Sequence, residues 1–221
     1  KNIRFYTGWV TAIEENAEQL LQITDGFMGS TIIPSGYKMM EGGRLDMLAV
    51  RRFGKRIFVE GDLQVFAEDA DALAAVERLQ VNGNVCVADC VADAFFEKCA
   101  IYGKVTVYKG EWMDISHTTS TIDKELLEDM DDGVTLNISH STVEISTDVT
   151  AELASEKIHE IILNSSTLIL GLDQQKALRR KIRNHDADVV IREYENTVEA
   201  EPEPKEQEFT ETKVNSAYYK L

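Results

Sequence analysis

Two stretches of this chain, Ile115-Ser116-His117-Thr118-Thr119 and Ile138-Ser139-His140-Ser141-Thr142, carry the same Ile-Ser-His run 23 residues apart. On neighbouring strands of one sheet the two imidazoles would lie within one strand spacing, with Asp114 or Glu144 close enough to orient them. Ser, His and Asp are the parts of nucleophilic acyl transfer. That chemistry also demands a strained nucleophile turn and an oxyanion hole, and no Gly-x-Ser-x-Gly occurs. Ser and Thr in repeated turns act as hydrogen-bonding spacers, and duplication alone produces paired histidines. Both runs are therefore read as turn chemistry, and no catalytic residue is assigned.

Cys86, Cys90 and Cys99 fall close enough in sequence to suggest three thiolates around a metal. Cys86 alternates with Val85 and Val87 as on a strand, whereas Cys99 falls in a helical pattern, so the three need not converge and are read as small buried residues. Gly54-Lys55-Arg56 and Gly103-Lys104-Val105 lack the Ser or Thr and the upstream Gly of a phosphate loop, and no Gly-x-Gly-x-x-Gly follows a strand. Acidic clusters at 60–71 and 125–132 lack calcium-loop spacing and read as solvated helix faces. No metal and no cofactor is expected. The one basic cluster, Lys176, Arg179, Arg180, Lys181 and Arg183, is assigned an internal electrostatic role against the acidic remainder. Trp9, Tyr108 and Trp112 fall near predicted strand ends, where they could stack on a sugar or a peptide. With His117 and His140 they make up the candidate binding surface, core packing being the ordinary alternative.

The whole chain limits what partner such a surface would meet. Among 221 residues, 39 are acidic and 23 are Lys or Arg, giving a net charge of -16 that repels phosphate backbones and anionic lipid. Nucleic acid and membrane are excluded as expected partners. No apolar run approaches the roughly 20 residues that cross a bilayer. Three cysteines do not make a disulfide framework, which favours a reducing, cytoplasmic setting. The chain opens on Lys1 rather than Met, which leaves room for a removed upstream segment carrying a targeting signal.

The elements that must position these residues repeat. Ile57-Phe58-Val59-Glu60-Gly61-Asp62-Leu63-Gln64-Val65 is echoed 22 residues later by Leu79-Gln80-Val81-Asn82-Gly83-Asn84-Val85-Cys86-Val87. Looser copies occur near 3–8, 21–26, 105–110, 134–139, 161–170 and 189–191, about eight units in all. With Val59, Val81, Val107, Leu136, Leu163 and Ile191 taken as equivalent, the steps are 22, 26, 29, 27 and 28 residues. A frame set by the two Ile-Ser-His runs instead matches Met113 to Leu136, and the two frames exclude one another. Between the strands, helices are expected over 67–78, 92–101, 123–130, 148–160 and 173–184, with Asp123, Asp148 and Asp173 ahead of the last three as caps. A single strand-turn-helix unit cannot cover its own apolar face, so neighbours must stack into a parallel sheet. A doubly wound sheet is the main alternative.

The Leu-x-Val-Asn-Gly-Asn-Val-x-Val run at 79–87 and the Ile-x-Leu-Asn-Ser run at 161–165 resemble leucine-rich-repeat strands, in which an Asn follows the core strand. The resemblance implies an Asn ladder through Asn82, Asn137 and Asn164, each amide bridging backbone groups of the next rung. It also implies a tendency to bind macromolecules on the exposed sheet.

The expected fold is thus an α/β repeat solenoid over 1–195, leucine-rich-repeat-like, with a parallel sheet on one side and short helices on the other. Residues 27–55 are expected as an inserted loop and 196–221 as an acidic linker or tail. The expected function is that of a non-enzymatic interaction or scaffold protein with a protein partner. A carbohydrate-binding or hydrolytic β-solenoid using the Ser-His runs or the aromatic edge is one alternative. Self-assembly as a homo-oligomer is another.

Overall fold

The computed structural model describes residues 5–6, 8–25 and 29–192. The expected tail at 196–221 lies outside them. The fold is mixed α/β, with several open parallel sheets and, among the described residues, seven short α-helices.

The chain advances in passes of strand, corner, strand and, in most cases, helix. The first pass is β1 (Phe5–Tyr6), β2 (Trp9–Ile13) and α1 (Glu14–Ile23), followed by β3 (Thr24–Asp25) and β4 (Gly29–Ile33). A stack of four passes comes next. It comprises β5 (Lys38–Met40), β6 (Gly43–Arg44) and α2 (Met47–Phe53); then β7 (Arg56–Glu60), β8 (Leu63–Val65), a 3-10 turn (Ala67–Asp69) and α3 (Ala70–Ala75). It continues through β9 (Arg78–Asn82), β10 (Val85–Ala88) and α4 (Asp89–Phe96), and ends with β11 (Cys99–Ile101) and β12 (Val105–Tyr108). A second stack of four begins with β13 (Glu111–Ser116), β14 (Thr119–Ile122) and α5 (Lys124–Asp129). There follow β15 (Val134–Ser139), β16 (Thr142–Ile145) and α6 (Ala151–Lys157), then β17 (Ile158–Asn164), β18 (Thr167–Leu170) and α7 (Leu172–Leu178), and finally β19 (Ile182–His185) and β20 (Asp188–Ile191).

Each pass therefore supplies a strand to two sheets, not to one. First strands pair in the orders β5-β7-β9-β11 and β13-β15-β17-β19, second strands in the orders β6-β8-β10-β12 and β14-β16-β18-β20, all parallel. The expectation of a single sheet is corrected here, because a corner divides each apolar run into two strands, containing glycine in the first stack and opening on His117, His140, Ser165 or Asp186 in the second. Val59 does lie opposite Val81, but Val81 lies opposite Ile101, while Val107 is a second-strand residue opposite Val87. Met113 lies opposite Leu136 and Ile138 opposite Leu163, so the Ile-Ser-His frame is the one the chain follows. Ile191 pairs with Leu170 on second strands. The stretch expected as an inserted loop contributes regular elements: β4 pairs with β2, β5 with β7 and β6 with β8. Its Gly-rich composition marks corners, which are needed in every pass.

Alternation then decides the core. Along β15, Val134, Leu136 and Ile138 point inward and are fully buried, and Asn137 between them points out. One apolar cluster runs through the first stack and a second through the β13–β20 stack. The helices of both stacks have six to eight residues, too short to hold alone in water, and depend on packing and caps. Asp46 accepts from the Ala49 N–H at 2.7 Å and Asp123 from Leu126 at 2.9 Å. Asp148 and Asp173 do not cap their own helices. Asp148 accepts from the Lys124 N–H of α5 at 3.3 Å, while Thr150 caps α6; Asp173 falls in the first turn of α7, after its cap at Gly171.

At the Gly83 and Gly103 corners of the first stack the passes approach so closely that a side chain would collide with the neighbouring backbone. A Cβ on Gly83 would stand 2.2 Å from the carbonyl oxygen of Gly61. Gly83→Ala is expected to lower unfolding free energy by about 2 to 3 kcal/mol, because the overlap is with backbone that cannot turn aside. Urea denaturation measures this, and an unchanged midpoint would show that successive corners do not touch.

Candidate functional site

The corners of the second stack bring the two histidines together. His117 joins β13 to β14 and His140 joins β15 to β16, each in left-handed backbone conformation with φ of 55° and 50°. Ser165 and Asp186 hold the same conformation at the next two corners. Stacking the passes brings the two exposed imidazoles face to face, with centroids 5.1 Å apart and planes 14° apart. They line a shallow polar groove of about 630 Å³ with Thr119, Thr142, Ser165 and Thr167. Thr119, Thr142 and Thr167 are direct register partners, so their hydroxyls recur at one strand spacing.

The surrounding hydrogen bonds fix what these groups can do. Ser141, buried, donates to the Ser139 carbonyl at 2.9 Å, and Ser166, also buried, donates to the Asn164 carbonyl at 2.7 Å. The same oxygens accept backbone N–H groups from the pass before: Thr118 N–H to Ser141 Oγ at 3.1 Å, and Ser141 N–H to Ser166 Oγ at 3.2 Å. Asp114 accepts from Asn137, and Glu144 pairs with Arg192. The buried hydroxyls and both acids are thus held by structural partners.

The backbone-bridging role expected of asparagine falls elsewhere. Asn82 donates to Glu60 at 3.0 Å, Asn137 to Asp114, and Asn164 to Asn137 at 3.4 Å, side chain to side chain. These three stand on strands, where pairing already uses the backbone groups. The unpaired groups are at the corners, and there the bridges are Asn84, which accepts the Lys104 N–H at 3.1 Å, and Asp62, which accepts the Asn84 N–H at 2.8 Å. In the second stack Ser141 and Ser166 take the same position.

The aromatic residues do not form one edge. Trp9 stands on β2, 55% exposed, its ring against Gly29 and its Nε1–H donating to Thr31 Oγ1 at 3.0 Å. Tyr108 and Trp112 meet where the first stack gives way to the second, with centroids 5.1 Å apart. Tyr108 is 3% exposed and offers no open stacking face. Cys86, on β10, and Cys99, on β11 and not in a helix, are half-buried, and burial pushes both thiols up to about 12; Cys90 is exposed on α4. Among the described residues no group of three or more His, Cys, Asp or Glu is placed to hold a metal ion, and no helix is long and apolar enough to cross a membrane.

Three lysines hold the passes together, of which only Lys181 belongs to the basic cluster singled out in the sequence. Lys98 reaches the Leu73 carbonyl at 2.8 Å, Lys157 the Met130 carbonyl at 2.8 Å, and Lys181 the Ile158 carbonyl at 2.8 Å. Each ammonium sits by the closing turn of the helix one pass earlier, where it satisfies orphan carbonyls and opposes the helix dipole. Their signal was legible: each is the residue immediately before a first strand. Lys181 accordingly belongs to the stack itself, Arg183 pairs with Glu160 on β17, and Lys176 pairs with Asp173 at 2.8 Å.

Compared with protein-family models, curated proteins and solved structures, the chain finds no match.

Ser166→Ala removes an oxygen that serves two buried backbone groups and is expected to cost about 2 kcal/mol, while Asn82→Ala, on the exposed face, costs under about 1 kcal/mol. Chemical denaturation of both variants makes the comparison, and equal losses would contradict it. Thiol alkylation at about pH 8 is expected to modify Cys90 while sparing Cys86 and Cys99 in the folded chain. Because folding raises these two thiols from 9.0 to about 12, their contribution to stability is complete below pH 9 and fades as pH climbs toward 12. A denaturation series over that window would show stability falling.

Proposed function

We propose that the chain is a repeat solenoid serving as a non-enzymatic interaction surface, and that a protein partner docks along the corner face of the second stack. The observation that supports this is the row of Thr119, exposed, and Thr142 and Thr167, half-buried, in strict register beside the stacked His117 and His140. Such a row offers an extended segment one polar contact per strand spacing without needing a deep pocket. The likeness to leucine-rich repeats covers the period and the alternation with helices, whereas the second strand in each pass is an addition to that repeat. The buried serines beside the imidazoles donate to backbone carbonyls, which favours a binding role over acyl transfer.

The test compares the wild-type chain with Thr142→Arg/Thr167→Arg in capture from an extract of the source cells, alongside light scattering over a concentration series. The proposal expects a defined protein bound by wild type, at least about tenfold less of it bound by the variant, and a constant mass at all concentrations. Recovery of the chain alone, with mass rising with concentration, would replace this reading with self-assembly. Equal capture by the variant would move the surface elsewhere.

A further inference from the structure

The second stack ends on an open edge. β19 pairs only with β17 and β20 only with β18, so neither has a strand on its outer side among the described residues. The carbonyls of Lys181 and His185 accept from the N–H groups of Ile161 and Ser165, while Asp188 and Arg192 donate to the carbonyls of Ser166 and Leu170. Backbone groups alternate sides along a paired strand, which leaves the N–H and C=O groups of Ile182, Asn184, Val189 and Ile191 facing outward. The core opens at the same place. Ile161, Leu168 and Leu170 are fully buried, whereas Ile182, Val189 and Ile191 opposite them are half-buried. An edge of this kind is a template for any strand that reaches it.

Charge and sequence identify the strand. Beside this edge Arg179 and Arg180 close α7, both exposed and without an ion pair among the described residues, although Lys176, Arg183 and Arg192 around them are engaged by Asp173, Glu160 and Glu144. Within the second stack the chain leaves each second strand, crosses the helix layer and opens the next first strand after eleven or twelve residues. Past β20, positions 193 to 212 hold eight Glu against one Lys, and Lys213-Val214 follows. Lys157-Ile158 and Lys181-Ile182 are pairs of the same kind. In each, the ammonium sits at the closing turn of the helix one pass earlier and the apolar residue opens a first strand. One pass further on, the helix to be met is α7.

We propose that the C-terminal segment of this chain closes the edge: its glutamates between 193 and 212 lie over Arg179 and Arg180, Lys213 reaches the closing carbonyls of α7, and residues 214–216 add a parallel strand to β19 with Val214 opposite Ile182. The 22 residues from 192 to 213 make a link about twice as long as those inside the stack, so the segment reaches β19 with chain to spare. Opposite charge across the contact sets its position, and strand pairing holds it. The closure does not depend on the interaction surface proposed above, which lies on the corners of the second stack.

Amide hydrogen exchange on the full chain reads this edge residue by residue. The outward-facing Ile182 and Asn184 amides are expected to exchange at least about 100-fold more slowly than unpaired amides, at a rate independent of protein concentration. Asn215→Pro removes the N–H that the proposed register directs to the Ile182 carbonyl, and it should cut that protection at least about tenfold. Arg179→Glu/Arg180→Glu should cut it about fivefold, and both variants should leave the amides of β15 unchanged. Unprotected Ile182 and Asn184 amides in the wild type would overturn the closure. Protection that survives Asn215→Pro would overturn the C-terminal strand as its cause, and protection that rises with concentration would put a second copy in its place. Protection unchanged by the charge reversal would overturn the role of Arg179 and Arg180.

Discussion

A two-residue corner between strands leaves backbone N–H and C=O groups that sheet pairing does not reach, and only the next pass is near enough to meet them. This constraint governs the rest of the molecule. In the first stack it is met by Asp62 and Asn84, whose side-chain oxygens accept from the corner one pass later. In the second it is met by Ser141 and Ser166, which accept from the corner one pass earlier and donate to carbonyls of their own pass. The two solutions run in opposite directions along the chain. Both fix register to the residue, because a slip of one position would leave a buried polar group unpaired and turn an apolar strand face to water.

Once corners fix register, the chemistry on the surface follows. A residue type repeated at one corner becomes a row on the outside, which is how His117 and His140 come to stack and how three threonines align. The choice of corner residue also differs between the stacks. Gly61 and Gly83 let backbone touch backbone in the first, while the second holds non-glycine residues in left-handed conformation at every corner from His117 to Asp186. Holding such residues there costs about 1 to 2 kcal/mol each, which the surrounding pairing must offset. A row of side chains in place of a row of bare backbone is what that cost provides.

The stacked parallel strands and short helices were legible in the sequence because alternation and helix formers are local signals. The period was legible through the Val59 and Val81 runs, whose cores differ little. The division of each run into two strands was not, since Gly61-Asp62 and Gly83-Asn84 read equally well as the centre of one strand pattern. The same ambiguity sends Val107 and Ile191 to the wrong strand and makes 27–55 resemble an insertion, where Gly42 is a corner residue and Gly43 opens β6. Sequence likeness points to the three asparagines on the strands, yet satisfying a corner requires a side chain on its second residue, which is Asn84 and not Asn82. Of the aromatic residues, Trp9, Tyr108 and Trp112 read as near strand ends, but that Tyr108 meets Trp112 on one side and Phe66 on the other follows only from the packing of the passes.

The central claim is that first and second strands each pair in register from pass to pass, and site-directed cross-linking tests it most directly. In a background with Cys86, Cys90 and Cys99 replaced by serine, T119C/T142C places two thiols on directly paired residues, whose Cα separation of about 4.8 Å suits a disulfide. The account predicts rapid, near-complete oxidation of this pair in the native chain and little for T119C/E144C, two residues out of register. Equal oxidation of both pairs, or preference for the second, would contradict it.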